Sequence, residues 1–515
     1  MKNNYFSLKN SVLGLMVSFF GLHSNAQNDY TVNAIPHQVY AATLPVQFTS
    51  DDMNSGLIPL TFDFTYFGNT YNQVVIGTNG VIQFNNALAN TFHPWSFNSA
   101  IPSVSFPIKN AILGCYSDIN NTPQAGSGTI TYAVVGNAPY RRFVVLFNNQ
   151  PAYQCGSAAI TTFQMILYET LNTVDVQIVQ RQPCITWNGG RGVTGLINAS
   201  GSVAFTPPGR NTGIWSASQE GWRFALPVNP AVYNYTACQN ATVGFADFNL
   251  QVVKNDLQNT NLIFYNTLAD AQTVQNPISN LNFINSTANY QKIYASDGAI
   301  TKEIILRVIN CANDYDLDSV PTLVEDLNGD GNYANDDTDS DRIPNFMDND
   351  DDGDMILTSA EYVFSNLPNS KTVTALLDTD ADGIPNYRDN DDDGDGVLTI
   401  NEDYNGNKNP ADDDTNSNGI PDYLEQTVAL GLVKNTLTNL ISIYPNPTSD
   451  VFYITNKSDQ EVTNLAVFAI NGTLVKEQKN ISETNGISVS ELQSGVYFVR
   501  LTVGETIVNC KLIKK

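Results

Sequence analysis

The chain has 515 residues, of which 42% are hydrophobic and 10% aromatic, and its formal net charge is −26 at pH 7. This length and apolar content are sufficient for three or four domains with folded cores. The acidic balance argues against nucleic acid as a partner, because the phosphates would be repelled.

The first 26 residues have the three parts of a secretory signal peptide. Two lysines lie in the first nine residues, an apolar run follows at residues 11–22, and Ser24 and Ala26 supply the small side chains of a cleavage site. The apolar run is too short to span a bilayer. We therefore expect residues 1–26 to be removed on export. No later stretch predicts a membrane span, so we expect the mature protein to be secreted or held at the cell surface.

Residues 27–228 are predicted to form a β-sandwich. Alternating apolar runs, such as those at residues 73–84 and 142–147, are separated by Gly, Asn and Pro. Asn79 and Gly80 lie between two apolar runs and are typical of a hairpin turn. No helical periodicity competes with this pattern.

Several short motifs follow one another in this stretch: LTFDFTYF at 60–67, VVIGTNGVIQF at 74–84, PWSF at 94–97, WNGG at 187–190, PGRN at 208–211 and WRF at 222–224. They resemble the motifs of nidogen-like extracellular domains and, more closely, of a domain of secreted Bacteroidetes proteins. The resemblance implies a fold and a surface location, and it brings no known catalytic residues.

Residues 229–312 are a second β-rich segment, for which we expect an immunoglobulin-like β domain. Cys238 and Cys311 lie near its two ends. Because disulfides are the default in an exported protein, these two cysteines could close the segment.

The remaining cysteines give one further candidate pair. Cys155 and Cys184 flank two strand-like runs of the first domain and could bridge them. Cys115 and Cys510 have no obvious partner. No Cys-x-x-Cys motif predicts a zinc or redox site.

The stretch from residue 314 to residue 425 contains 31 of the 51 acidic residues but only four of the 25 basic residues. Carboxylates packed this densely repel one another unless cations neutralise them. They recur at alternate positions with Gly and Asn between them, as oxygen ligands for Ca²⁺ do. We therefore predict that residues 313–425 bind several calcium ions.

An EF-hand-type loop has oxygen ligands at positions 1, 3 and 5, a backbone carbonyl at position 7, an acidic ligand at position 12 and glycine at position 6. Eight loops have the ligand spacing, and we number them 1 to 8 in chain order. Loops 2, 5, 6 and 8 keep the glycine. Their predicted ligands are Asp326, Asn328, Asp330, Asn332 and Asp337 (loop 2), Asp378, Asp380, Asp382, Ile384 and Asp389 (loop 5), Asp391, Asp393, Asp395, Val397 and Glu402 (loop 6), and Asp414, Asn416, Asn418, Ile420 and Glu425 (loop 8).

The other four loops have Ser319, Arg342, Met355 or Lys408 in place of the glycine. Their predicted ligands are Asp314, Asp316, Asp318 and Glu325 (loop 1), Asp337, Asp339, Asp341 and Asp348 (loop 3), Asp350, Asp352, Asp354 and Glu361 (loop 4), and Asp403, Asn405, Asn407 and Asp414 (loop 7). A side chain is costly where φ is positive, so we expect weaker or degenerate sites in these loops. Affinities in the range of extracellular modules, roughly 10⁻⁴ to 10⁻³ M per site, are expected.

An internal duplication supports this numbering, because residues 314–348 align with residues 391–425 at a constant offset of 77. Asp337 and Asp414 each end one loop and begin the next, so neighbouring sites would share ligands and bind cooperatively. The loops abut without room for flanking helices, and Ile-Pro steps in three of them oppose helix formation.

These closely spaced loops resemble thrombospondin type 3 repeats, in which the chain wraps around a row of ions with little hydrophobic core. The resemblance implies ligands at positions 1, 3, 5 and 12 where the residues match. Two alternatives remain open. A dockerin module would need a helix after each loop, and an acidic disordered linker would show no regular spacing.

Residues 441–515 are predicted to form a small β-sandwich after a linker at residues 426–440. They contain YPNP at 444–447, Asn-Gly at 471–472 between two strand-like runs, GVYFVRL at 495–501 and a basic end. These motifs resemble the type A C-terminal sorting domain of the Bacteroidetes type IX secretion system. The resemblance implies that the type IX machinery carries the chain across the outer membrane and that this domain is removed on arrival.

The case for an enzyme is weak. The mature chain has only two histidines, His37 and His93, which disfavours Ser-His-Asp triads and HExxH zinc sites. A glycosidase needs only two carboxylates, but the spacing of the acids in the first domain selects no pair. These acids are Asp63, Asp118, Glu169, Asp175 and Glu220. Four tryptophans could stack on sugar rings or fill the core: Trp95, Trp187, Trp215 and Trp222.

The sequence thus predicts a mostly-β chain of several β-sandwiches joined by a calcium-loop segment with little regular secondary structure. We expect a non-enzymatic, calcium-binding adhesion or binding protein. Its N-terminal domains would bind a protein or a glycan, and its calcium segment would be a stiff spacer. The alternative is a secreted carbohydrate-active enzyme or glycan-binding factor that uses the first domain.

Overall fold

A computed structural model describes residues 29–122, 128–227, 229–366, 374–428, 441–457, 462–469, 473–479, 486–503 and 506–515. The predicted signal peptide, the Asn-Gly step at 471–472 and most of the predicted linker lie outside these residues. The described residues are mostly strands in several separate sheets, which confirms the mostly-β, multidomain fold class. They divide into two compact units between Asn390 and Asp391.

The described part of the first domain contains fourteen strands. They are β1 (Thr31–Ile35), β2 (Leu44–Pro45), β3 (Ile58–Tyr66), β4 (Asn69–Gly77), β5 (Val81–Gln83), β6 (Ala111–Tyr116), β7 (Thr129–Val135), β8 (Arg142–Ala152), β9 (Gly156–Tyr168), β10 (Val174–Arg181), β11 (Arg191–Ile197), β12 (Ala204–Phe205), β13 (Asn211–Ile214) and β14 (Ala217–Ala225). One sheet has the order β1-β14-β10-β9-β8-β7-β2, and the other has the order β12-β11-β6-β5-β4-β3 with β13 paired to β11.

The two sheets enclose one apolar core. Strand β3 alternates buried and exposed residues along most of its length, as expected for a strand with one face inward. Phe64 and Ile76 of one sheet share the core with Phe163 and Val176 of the other. The predicted hairpin is confirmed, because β4 and β5 pair as antiparallel neighbours across the turn that contains Gly80.

The second domain differs from the expected immunoglobulin-like sandwich. Its strands are β15 (Val232–Cys238), β16 (Asp247–Asn249), β17 (Ile263–Tyr265), β18 (Asn282–Ile284), β19 (Tyr290–Ser296) and β20 (Thr301–Ile309), and its helices are α1 (Leu250–Asp256) and α2 (Leu268–Thr273). One mixed sheet has the order β15-β20-β19-β17, with β15 parallel to β20, and β16 pairs with β18 separately.

Helix α1 packs against this sheet, and the small β16-β18 sheet contributes Phe248 to the same core. Asn249 caps α1 by accepting a hydrogen bond from the Gln251 N–H, a favourable start for a helix. Leu250 and Val253 of α1 lie in the same core as Ile304 of β20. The helix has only seven residues, too few for a clear periodic signal in the sequence.

Both predicted disulfides are confirmed. Cys155 is bonded to Cys184, and Cys238 is bonded to Cys311. Cys115 and Cys510 are free cysteines.

The described part of the acidic segment contains one short helix and two short strands. These are α3 (Thr358–Glu361), β21 (Phe364–Asn366) and β22 (Thr374–Leu376). The remainder consists of turns and single turns of 3₁₀ helix.

The C-terminal domain forms the expected small sandwich. Its strands are β23 (Ile441–Tyr444), β24 (Val451–Asn456), β25 (Val462–Ala469), β26 (Leu474–Lys479), β27 (Ile487–Ser488), β28 (Gly495–Val503) and β29 (Thr506–Lys514). Sheets β23-β24-β27 and β26-β25-β28-β29 share a core in which Phe452 and Leu501 are buried. Among the helices that the structure describes, none has the length and apolar character needed to cross a membrane.

Candidate metal centre

All eight acidic loops have the same backbone turn. The residues at positions 4 and 6 have positive φ in every loop: Leu317 and Ser319, Gly329 and Gly331, Ser340 and Arg342, Gly353 and Met355, Ala381 and Gly383, Gly394 and Gly396, Gly406 and Lys408, and Ser417 and Gly419. The four loops without glycine at position 6 therefore keep the turn geometry. Each side chain there adds a strain of roughly 1–2 kcal/mol.

Hydrogen bonds inside the loops orient the carboxylates. The acid at position 1 accepts a bond from the N–H at position 6, as between Asp391 and Gly396 at 3.1 Å. The residue at position 5 accepts a bond from the N–H at position 7, as between Asp395 and Val397 at 2.7 Å. These bonds use part of each acceptor, and the remaining oxygens can bind a cation.

Carboxylate oxygens converge within single loops of the described chain, loops 1, 3 and 4 among them. In loops 1, 3 and 4, the acids at positions 1, 3 and 5 each provide an oxygen, and the oxygens of each triplet lie within 4.8 Å of one another. The triplets are Asp314, Asp316 and Asp318; Asp337, Asp339 and Asp341; and Asp350, Asp352 and Asp354.

Most loops end in a single helical turn before position 12. These turns are Thr322–Val324, Asn345–Met347, Asn386–Arg388, Thr399–Asn401, Pro410–Asp412 and Asp422–Leu424, with α3 in the same place in loop 4. Proline at position 8 precedes four of them, including those after Pro344 and Pro421. Within the described residues of the segment, no helix is long enough for an EF-hand or dockerin, which disfavours the dockerin alternative.

The carboxylates of loop 1 are buried. Asp316 and Asp318 are 0% exposed, and Glu325 is 1% exposed. Among the residues that the structure describes, no hydrogen-bond donor reaches either oxygen of Asp316 or Glu325. An unpaired buried charge costs several kcal/mol, so this site requires protons or a cation.

Raised pKa values of several carboxyl groups also indicate that the loops require protons or a cation. Burial raises the pKa of Asp318 to about 7, and burial together with the Asp318 carboxylate raises the pKa of Glu325 to about 9. In the second unit, burial and the neighbouring Asp393 and Asp395 carboxylates raise the pKa of Glu402 to about 8. A divalent cation would hold these acids in the ionised form near neutral pH.

The donor set fits calcium. All the predicted side-chain ligands are oxygen donors from Asp, Asn and Glu, and Ca²⁺ takes six to eight such ligands with flexible geometry. Loops 1 to 4 supply mostly carboxylates. Loops 7 and 8 replace carboxylates at positions 3 and 5 by the amides of Asn405, Asn407, Asn416 and Asn418. We therefore expect weaker binding in loops 7 and 8 than in the loops whose ligands at positions 3 and 5 are carboxylates.

The first half of the segment also packs against the two preceding domains. Phe346 and Met347 are 0% and 1% exposed and share an apolar cluster with residues of β8 and β9. The cluster consists of Tyr40, Tyr140, Val144, Ile166, Tyr168, Ile309, Cys311, Tyr315, Tyr333, Ile343, Phe346 and Met347. This packing differs from the expected spacer with little hydrophobic core.

A buried arginine of the first domain reaches into loop 3. The Nη1 atom of Arg223, on β14, lies 3.1 Å from Asp348 Oδ1 and 3.4 Å from Asp341 Oδ2. Its Nε atom donates to Asp175 Oδ1 at 3.2 Å. Arg223 thus places a positive charge beside the carboxylates at positions 5 and 12 of loop 3, those of Asp341 and Asp348. Sequence reasoning missed this residue because it lies far from the loop in the chain and has no periodic signal.

Sequence reasoning also missed Asp351, at position 2 of loop 4. Its side chain is 2% exposed, and it lies with Asp318 and Glu325 of loop 1 in one group of converging carboxylate oxygens. The sequence feature that could have indicated this residue is the run of three acids at residues 350–352.

Three of the five candidate catalytic acids of the first domain are ion-paired with arginines. Glu169 and Glu220 are ion-paired with Arg141 and Arg210, as Asp175 is with Arg223. Asp63 is exposed.

The four tryptophans differ in burial. Trp215 and Trp222 are buried in the core, whereas Trp95 and Trp187 are half-buried with ring centroids 5.7 Å apart. Trp187 Nε1 donates to Asp118 Oδ2 at 2.6 Å. Burial raises the pKa of Asp118 to about 7.

Comparison with known protein families gives four matches along the chain. Residues 25–237 match the model described as NIDO related, and residues 234–303 match the Flavobacterium inter-domain disulphide bond domain. Residues 315–374 match the model described as BamM C-terminal. Residues 442–515 match the secretion system C-terminal sorting domain.

A search of curated proteins found no significant match. A solved structure titled "Biofilm associated protein - BSP domain" is similar at 11% identity over 86% of this chain, with a TM-score of 0.13. The chain spans 59% of that protein's length, and a TM-score this low supports no structural argument.

The family matches confirm the resemblances of the first and last domains. The sorting domain implies an interaction with the secretion machinery and export to the cell surface or the medium. The NIDO-related and inter-domain disulphide matches are consistent with an exported protein. The chain is therefore a multidomain surface or secreted protein of the Bacteroidetes type, exported by type IX secretion.

Proposed function

We propose that this exported chain is a calcium-binding adhesion protein, in which calcium holds the acidic segment folded and the N-terminal domains bind a protein or a glycan. The observation that carries the calcium assignment is the loop 1 cluster. Asp316 and Glu325 are almost fully buried, and no described donor reaches their oxygens. Calcium would neutralise these charges and satisfy their lone pairs at once.

Charge over the whole segment supports the same proposal. Residues 314–425 hold 31 acidic and four basic residues, so the cation-free segment repels itself. The eight loops share a common turn, and all but loop 3, where Arg223 contacts Asp341 and Asp348, could each take an ion. Bound calcium would cancel much of the repulsion, and exported proteins meet calcium outside the cell at concentrations that suit weak extracellular sites.

The packing changes the role that we propose for calcium. The first three loops carry the apolar residues that share a cluster with β8 and β9, so their folding and their docking are coupled. Calcium would then stabilise a compact N-terminal body rather than only stiffen a spacer. An adhesion protein needs such rigidity because ordering a loose binding surface reduces affinity.

The test is to count bound ions and measure stability on the mature chain. We expect native mass spectrometry to show several calcium ions, and we expect thermal unfolding to shift upward in calcium relative to chelator. At a free calcium concentration 100 times the dissociation constant, each site adds about 2.7 kcal/mol. Magnesium at the same concentration should have a smaller effect. A chain that binds no calcium and melts at the same temperature in chelator would refute the proposal.

Glycan binding at the first domain is the second candidate. Trp95 and Trp187 form a half-exposed aromatic pair, and Tyr153 lies beside Trp187 with ring centroids 5.1 Å apart. Trp95→Ala should abolish retention on a polysaccharide column, whereas Ile214→Ala, a change at an exposed apolar residue, should have no effect. Equal retention of both variants would remove this candidate.

An enzymatic role would require a carboxylate near this pair that is not ion-paired with an arginine. Asp118 is the candidate because Glu169, Asp175 and Glu220 are held by arginines. Polysaccharide hydrolysis that disappears in Asp118→Asn but persists in Asp63→Asn would favour an enzyme over an adhesion protein.

A further inference from the structure

Loop 4 begins with three consecutive acids, and the middle one has a different environment from its neighbours. Asp350 and Asp352 lie in the triplet of their own loop with Asp354. The carboxylate of Asp351 lies instead within 4.8 Å of the carboxylate oxygens of Asp318 and Glu325 in loop 1. The chain turns at residues 351 and 352, and this one run of acids thus supplies carboxylates to two loops.

Asp351 is positioned by the fold and has no partner of its own. Its N–H donates to Thr358 Oγ1 at 2.9 Å, which fixes the backbone. Its side chain is 2% exposed. No donor in the described part of the chain reaches either of its carboxylate oxygens, and the same holds for Glu325 and for Asp318 Oδ2. Three buried carboxylates thus converge, and of their oxygens Asp318 Oδ1 accepts a hydrogen bond, from the Val320 N–H at 2.7 Å, whereas no described donor reaches the other five.

We propose that Asp351 is a ligand of the calcium ion of loop 1, so that two loops bind this ion together. The inference rests on the calcium binding proposed above. With Asp314, Asp316, Asp318, Glu325 and the carbonyl of position 7, Asp351 completes a set of six oxygen-donating residues. Six to eight oxygens are what Ca²⁺ requires, whereas Mg²⁺ demands a stricter octahedron and retains water.

This ligand changes the expected ranking of the loops. Loop 1 has Ser319 in place of glycine, so its spacing alone predicts a weak site. An additional buried carboxylate raises the attraction for a divalent ion. Loop 1 should therefore bind calcium more tightly than loop 8, which keeps its glycine but has two amide ligands. The ion would also hold loop 4 against loop 1.

The experiment compares ion counts of the mature chain by native mass spectrometry in calcium. Asp351→Asn and Glu325→Gln should each bind one ion fewer than wild type, and the double variant should also lack only that one ion. The matched control Asp63→Asn removes one exposed carboxylate of the first domain and should keep the full count.

The outcomes separate this inference from the calcium proposal. A wild-type chain without ions would refute calcium binding itself. Full occupancy and unchanged affinity in Asp351→Asn would overturn only the inference. A double variant that lacks two ions would also overturn it, because the two residues would then belong to different sites.

A stability measurement keeps the inference testable if Asp351→Asn is less well folded. Without calcium, this substitution removes one of several repelling buried carboxylates, so the variant should melt at a higher temperature than wild type in chelator. In calcium it should melt at a lower temperature. A variant that is less stable than wild type in chelator would show a purely structural role and overturn the inference.

Discussion

Replacement of Arg223 by methionine tests whether the acidic segment is held to the first domain by a buried ionic contact. The Arg223 side chain is 3% exposed, and it pairs with Asp175 and Asp348, which are 1% and 4% exposed. Removing one partner of a buried ion pair costs about 3–5 kcal/mol because the other charge is left uncompensated. Methionine preserves much of the volume, so the loss would be chiefly electrostatic.

Calcium should reduce this loss. Without the guanidinium, Asp341 and Asp348 of loop 3 become available to an ion together with Asp337 and Asp339. An added site gives about 2.7 kcal/mol at 100 times its dissociation constant. We therefore expect a loss of about 3–5 kcal/mol in chelator and only about 1–2 kcal/mol in saturating calcium. Asp175 would still accept a hydrogen bond from Tyr168 at 2.7 Å.

Hydrogen exchange is the suitable assay, because a multidomain chain does not unfold in a single two-state step. Amides of β14 and of loop 3 report local opening. In chelator, a loss of 3 kcal/mol corresponds to exchange faster by more than about 100-fold. The control is Arg141→Met, which breaks a less deeply buried pair with Glu169 at 2.6 Å (side chains 25% and 13% exposed) and should cost less, about 1 kcal/mol. Equal effects of the two substitutions, or no influence of calcium on Arg223→Met, would refute the reasoning.

Three further predictions concern a disulfide and two loops. Replacing Cys238 and Cys311 by alanine removes a disulfide with a sequence separation of 73. The double substitution should destabilise the second domain by about 4 kcal/mol, measured as faster hydrogen exchange of the amides of β15 and β20. Unchanged exchange would contradict this prediction. Gly396→Ala adds a side chain at a φ of 90°, where no atom lies within 4 Å of the new Cβ. The backbone strain of roughly 1 kcal/mol should weaken calcium binding by loop 6 about five-fold, measured by calorimetry. A stronger effect would indicate a steric cause. Asp393→Ala should weaken calcium binding more than Asn405→Ala, because a carboxylate attracts the ion more than an amide does; equal losses by calorimetry would count against the ranking of the loops.

Local features of the acidic segment could be predicted from the sequence. The ligand spacing identified eight turns, and positive φ at positions 4 and 6 of all eight agrees with that register. Such turns depend on residues only a few positions apart, so one sequence is sufficient to find them. The disulfide of Cys155 and Cys184 was predictable for a related reason, because the cysteines flank two consecutive strands.

Contacts between distant residues could not be predicted. The parallel pairing of β15 and β20 joins the two ends of the second domain, and no local pattern indicates it. Phe346 and Met347 are isolated apolar residues among acids, so they gave no sign of the cluster that they form with β8 and β9. The positions of Arg223 and Asp351 likewise depend on which segments meet in the folded chain.

The duplicated halves of the acidic segment show how the same ligand spacing can have different consequences. Ile343 in loop 3 is 4% exposed, whereas its counterpart at the offset of 77, Ile420 in loop 8, is 45% exposed. Asp341 likewise corresponds to Asn418, where an amide replaces a carboxylate. In the first half, an ion would neutralise buried acids and permit apolar packing, so binding and folding would be strongly coupled. In loop 8, a bound ion would be nearer solvent and order little beyond its own turn. The first half would therefore dominate the response of the protein to calcium, although the ligand spacing of the two halves is the same.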